Sequence, residues 1–99
     1  MDTFDVSVDA SGARVLVRPS GELDVASAPT LWSALAGEVT EGRRAITLDL
    51  SRLTFSDCAG LRPIRRALRQ GTDVELRDAL PAVRLVLDLT GLGASPALT

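Results

Sequence analysis

The stretch "LDLSRLTFSDCAGLRPI", residues 48 to 64, decides the fold. It continues a run, "RAITLDLSRL", in which Ile46, Leu48 and Leu50 share one face and Ala45, Thr47 and Asp49 the other. That period of two predicts a strand with one buried side. The stretch then opens "AGLRPIRRALRQG", where Leu61, Ile64 and Leu68 fall at helical spacing and Gly71 supplies a stop. Pro63 belongs in the first turn of that helix, where its missing N–H does little harm. Between strand and helix lies "TFSDCAG", Thr54 to Gly60. A loop in that position presents unpaired backbone N–H groups and favours negative charge.

The flanking segments extend the pattern. In "FDVSVDA", Phe4, Val6 and Val8 alternate with Asp5, Ser7 and Asp9, which predicts a half-buried strand. Ser11 and Gly12 mark a turn, and "ARVLVRP" follows as the second arm of a hairpin. Ala28, Leu31, Trp32, Leu35 and Val39 then form one helical stripe, with Ser27 as N-cap, Pro29 in the first turn and Gly42 as stop. Trp32 reads as core. After the second helix, "DVELRD" predicts a strand and "PAVRLVLDLTGLG" a last helix, with Val83, Val86, Leu87 and Leu92 inward. Residues 93–99 read as a flexible tail. The order β-β-α-β-α-β-α predicts a single small α/β domain over residues 1–99. Its mixed sheet has about four strands, its crossovers are right-handed, and helices pack against it.

Composition narrows the chemistry. The 99 residues suffice for one domain, and 45% hydrophobic with 24% charged is an ordinary globular balance. A net charge of −2 gives no overall field for nucleic acid. There is no His, which removes the commonest general base and metal ligand, and a single Cys permits no internal disulfide. No apolar run approaches a membrane span, and "MDTFDVSVDA" lacks the apolar core of a signal peptide, so a cytoplasmic location is expected. No cofactor and no enzymatic activity are expected.

Local chemistry at the junction gives a structural reading. Asp57 caps the helix, Cys58 is a small buried apolar residue, and Gly60 permits a close approach or tight turn. A redox role for Cys58 is opposed by Asp57, whose charge disfavours a thiolate. Asp24 and Asp57 lack a third partner for a metal. Arg62, Arg65, Arg66 and Arg69 crowd one face of the second helix, either as a solvated surface or as a partner contact.

Three segments together carry a family resemblance: "GELD" at 21–24, "LDLSRLTFSDCAGLRPI" at 48–64 and "LPAVRLVLDLTGL" at 80–92. Spread over nearly the whole chain, they closely resemble the STAS domain of bacterial anti-sigma-factor antagonists. The resemblance implies a protein-binding module whose partner is a kinase-type (GHKL) anti-sigma factor. It implies a docking surface at Asp24, Ser56, Asp57, Cys58, Ala59, Gly60, Leu61 and Arg62, with Asp24 in a partner-facing loop. In the family, the kinase phosphorylates a Ser or Thr after the aspartate, in a D-S-S/T-G pattern. Asp57 and Gly60 match that pattern, but Cys58 and Ala59 replace its hydroxyls. Ser56 and Thr54 carry hydroxyls on the wrong side of Asp57 for that geometry. The expectation is a docking site that the usual phosphorylation does not switch off. The alternative is a non-phosphorylatable scaffold or assembly subunit for another signalling partner, with a homodimer among its forms.

Overall fold

The structure is a computed structural model that describes residues 4–40 and 45–92, without the side chains of residues 39 and 40. The expected stop at Gly42, the side chain of Val39 and the expected tail at 93–99 lie outside them.

The alternation in the first residues produces β1 (Asp5–Asp9), paired antiparallel with β2 (Arg14–Leu23), so that Val6 meets Pro19 and Val8 meets Val17. β2 does not end at Pro19. It runs on to Leu23 and pairs along its other edge with two successive parallel strands. Arg14–Val17 pair with β3 (Ala45–Asp49), and Gly21–Leu23 pair with β4 (Leu53–Ser56). Pro19 falls between these two ladders, where β2 makes no registered pair on that edge. β5 (Val74–Arg77) pairs parallel with β3 and completes a five-stranded mixed sheet.

The fifth strand departs from the expected count of about four, and the cause is local. After β3 the Asp49 carboxylate accepts the N–H of Ser51, and Leu53 N–H closes on Leu50 C=O, so the chain turns out of the sheet and re-enters it. At re-entry the register shifts between Gly21 and Glu22, and Gly21 sits at φ 105°, which a side chain would strain.

The helices follow at the expected places: α1 (Ala28–Thr40), α2 (Arg62–Arg69, after a 3₁₀ turn at Ala59–Leu61) and α3 (Pro81–Leu89). Pro63 and Pro81 occupy first turns. α2 stops at Gly71, where Gly71 N–H bonds Leu68 C=O and Thr72 N–H bonds Ala67 C=O.

Among the described residues the buried aliphatic side chains form one cluster. Val15, Val17, Leu23, Ile46, Leu48, Val74 and Leu76 come from the sheet; Leu31, Leu35, Leu61, Ile64, Val83 and Leu87 from the helical segments. The opposite face of the sheet carries charge instead. Arg18 pairs Asp49 at 2.9 Å, Arg77 pairs Glu75 at 2.8 Å, and Arg14 spans Thr47, Ile46 C=O and Asp73. The helices therefore pack on one face only.

Leu48 is fully buried in the middle of the sheet. Leu48→Ala should lower unfolding free energy by about 2–5 kcal/mol, through lost burial plus the cavity left behind. Urea titration checks this, and a loss below about 1 kcal/mol would place Leu48 outside the core.

Candidate functional site

β2 and β4 are neighbouring parallel strands whose last registered pair is Leu23 opposite Ser56. The next residues, Asp24 and Asp57, therefore leave the sheet side by side at its carboxyl edge. Open α/β sheets bind ligands at this edge. Each aspartate then caps the helical segment that follows it.

Asp24 Oδ1 accepts the N–H groups of Ala26 and Ser27. Ser27 is not the cap that its position in the sequence predicts. Its hydroxyl donates to Glu22 C=O at 2.8 Å and accepts the Asp24 N–H at 2.9 Å, so it ties the end of β2 to the start of α1. The Asp24 carboxyl is held below its ordinary 3.8, first by the Ser27 N–H, against a desolvation that raises it.

At the second junction Asp57 N–H bonds Leu23 C=O, and Asp57 Oδ1 accepts Gly60 N–H at 2.8 Å. The expected cap is present. Gly60 is buried, and the space for a side chain is filled: a Cβ there would lie 2.7 Å from the Leu23 carbonyl carbon and 2.9 Å from its Cγ. Close approach to β2 is thus the reason for this glycine. Leu61 is buried beneath the turn, and Arg62 is exposed.

One expectation about the junction changes. Cys58 is exposed, not a buried apolar residue. Asp57 and Gly60 turn inward to make the cap and the close approach, and the residue between them on the outer side of the turn faces solvent. Ala59 is half-buried. Ser56 is only 2% exposed and donates to Asp57 C=O, while Thr54 is exposed and donates to Gly21 C=O. Asp24, Asp57, Cys58, Ala59 and Arg62 thus share one edge of the molecule, with Ser56, Gly60 and Leu61 as its support. Among the described residues no group of three or more Cys, Asp or Glu is placed to hold a metal ion.

Trp32, expected in the core, packs against its rim instead. It is half-buried, with the Arg66 guanidinium 4.2 Å from its ring centroid. Together with Val25, Ala59 and Pro63 it lines a groove of 340 Å³ between α1 and α2. A signal was available: Trp32 is the neighbour of Leu31 rather than part of the Leu31–Leu35 line, which rotates it to the edge of the apolar stripe.

Residues 6–99 match the family model described as Mlab, STAS domain. The chain belongs to the STAS family. Over 87% of its length this STAS domain is 30% identical to BtrV of Bordetella bronchiseptica, described as an anti-sigma factor antagonist, and covers 78% of that protein. Its fold superposes on the crystal structure of an anti-sigma factor antagonist from Mycobacterium paratuberculosis with TM-score 0.82 at 29% identity, covering 97% of this chain and 85% of that one. SpoIIAA in its unphosphorylated form gives TM-score 0.80 at 23% identity, covering 96% and 86%. The anti-sigma factor antagonist fold expected from the three sequence segments is the fold observed. No helix among the described residues is long and apolar enough to cross a membrane.

Two outcomes are expected from the caps. Gly60→Ala should destabilise the domain more than Asp57→Ala, whose loss of a cap costs about 0.5–2 kcal/mol, because the new methyl meets β2 backbone. Equal effects in urea titrations would deny the close approach. Asp24→Asn keeps the shape of the cap and removes its charge. Because the folded carboxyl titrates below 3.8, its contribution is fully present above that value and is lost as pH falls through the lowered one. The stability gap between wild type and Asp24→Asn should therefore exist at pH 7 and close in strong acid.

Proposed function

We propose that this chain is a protein-binding module that docks a kinase-type anti-sigma factor, and that it lacks the phosphate switch of its family. It acts by occupying a surface, not by catalysis. The observation that carries the reading is the junction itself. Asp57 and Gly60 hold the turn in the family's pattern, while the outward position after Asp57 is an exposed Cys58 and the next is Ala59.

The physical consequence is direct. A phosphoryl group adds about −1.5 to −2 charge at neutral pH. On the outer side of this turn it would be tolerated by the domain, yet it would present charge and bulk to anything docked there. Neither a thiol nor a methyl group accepts phosphate as a hydroxyl does. Ser56, the nearest hydroxyl, is buried and engaged, which leaves a kinase no approach without local opening. The names of BtrV and of the Mycobacterium paratuberculosis protein support the choice of an anti-sigma factor as partner.

A second reading, a scaffold or assembly subunit, draws on α3. Leu85 and Leu89, one turn apart, are 60% and 75% exposed. Sedimentation of the purified chain separates the two readings: self-association without anti-sigma binding favours the scaffold.

The test is a titration against kinase-type anti-sigma factors with and without Mg-ATP, followed by intact mass. The expected result is binding with no gain in mass. Cys58→Ser combined with Ala59→Ser should restore a mass gain of one phosphate and weaken binding in ATP. Phosphorylation of the wild-type chain, or no binding to any such partner, would overturn the proposal.

A further inference from the structure

We infer that the groove between α1 and α2, with the arginine strip beside it, receives an acidic amphipathic helix of the partner protein. The inference deepens the proposed docking function by naming the chemistry of the element that docks.

The charge distribution leads the argument. Arg62, Arg65, Arg66 and Arg69 line a shallow depression of 430 Å³ along α2. Among the described residues none of the four forms an ion pair, whereas Arg14, Arg18, Arg77 and Arg84 all do. Acidic residues are not scarce, since Asp and Glu outnumber Arg by 13 to 11. They are absent from α2, whose arginines repeat at i, i+3 and i+4. Like charges at that spacing destabilise a helix. A solvated face would serve as well with mixed signs; an acidic partner needs this arrangement.

Two of the arginines are already positioned. Arg65 donates to Thr90 C=O at 2.8 Å and braces α2 against the end of α3. Arg66 lies over Trp32, so its guanidinium is held at the groove without a carboxylate. Arg62 and Arg66 border both depressions, which makes the apolar floor and the basic strip one continuous surface. Exposed Val25 and half-buried Trp32 offer apolar contact there, and Trp with Arg is the composition of interface hot spots.

The form of the occupant follows from the walls. Both are helices, whose backbone groups are paired internally, so an extended strand would find no ladder to join. A helix can set apolar residues one turn apart into the groove and Asp or Glu along its flank against Arg62, Arg66 and Arg69. A membrane surface fits poorly, because the apolar part is concave and cannot insert. Continuity with the junction is built in, since Ala59 lines the groove.

Trp32 is the sole tryptophan of the chain and reports on the site. The experiment follows its fluorescence during titration with a synthetic amphipathic helical peptide bearing a Leu stripe flanked by Glu, and with the same peptide bearing Lys. The expected result is a saturable change with the Glu peptide alone, weakened about tenfold when salt rises from about 0.05 to 0.3 M. Arg62→Glu with Arg69→Glu should reverse the preference, and the milder Arg62→Gln with Arg69→Gln should abolish it with the circular dichroism unchanged. No saturable change, an equal response to the Lys peptide, or a response to phosphatidylglycerol vesicles in place of the peptide would overturn the inference. The same variants titrated with the anti-sigma factor separate the two claims. If they bind it as wild type does, the groove inference falls and the proposed function stands. If the Glu peptide binds and no anti-sigma factor does, the reverse holds.

Discussion

The passage of Gly60 against the Leu23 backbone is the constraint on which the rest of the site depends. β4 can pair with the end of β2 only if the following turn folds back tightly, and a Cβ at residue 60 would occupy the space of the Leu23 carbonyl. The same carbonyl accepts the Asp57 N–H, and the Asp57 carboxylate accepts the Gly60 N–H. Strand end, cap and close approach thus form one closed loop of contacts. Loosening any of them moves Cys58, Ala59 and Arg62 together, because all three hang from that turn.

The first junction repeats the device with different parts. Asp24 caps the turn before α1 as Asp57 caps the turn before α2, and both leave adjacent parallel strands. At Asp24 the chain adds the Ser27 hydroxyl, which bonds Glu22 C=O and so fixes the first junction to β2 through a side chain. At Asp57 the fixing is done by backbone against backbone. On the outer side of the second turn the exposed Cys58 takes no part in the cap or in the close approach.

Much of this was legible in the sequence, for identifiable reasons. Strong alternation gave β1, β3 and the start of β2, and helical stripes with Pro and Gly punctuation gave α1, α2 and α3. β4 was not legible. Its four residues run buried, exposed, exposed, buried, with Phe55 turned outward at 46% exposure, so neither periodicity nor hydropathy marks it. The extension of β2 past Pro19 was hidden because a proline reads as a strand end unless its edge is left unpaired. The role of Ser27 is hidden because two capping residues lie three apart and only the hydrogen bonds tell which one caps. Cys58 read as buried because free cysteine is usually so, and a turn's outer side is not encoded in residue type.

The groove and the junction meet at Ala59, and their proximity bears on how such a surface can be controlled. Ala59 lines the groove beside Arg62. On the proposed reading, a phosphate at this edge would lie close to the arginines that an acidic helix needs, and would compete for them by charge as well as by bulk. A methyl group leaves Arg62 and Arg66 available at all times. Substitution at residues 58 and 59 would then do more than delete an acceptor: it would hold the surface permanently in its binding-competent electrostatic state. Control of such a complex would rest with the partner's own state and with the amount of this chain, because neither residue 58 nor residue 59 would carry a phosphate.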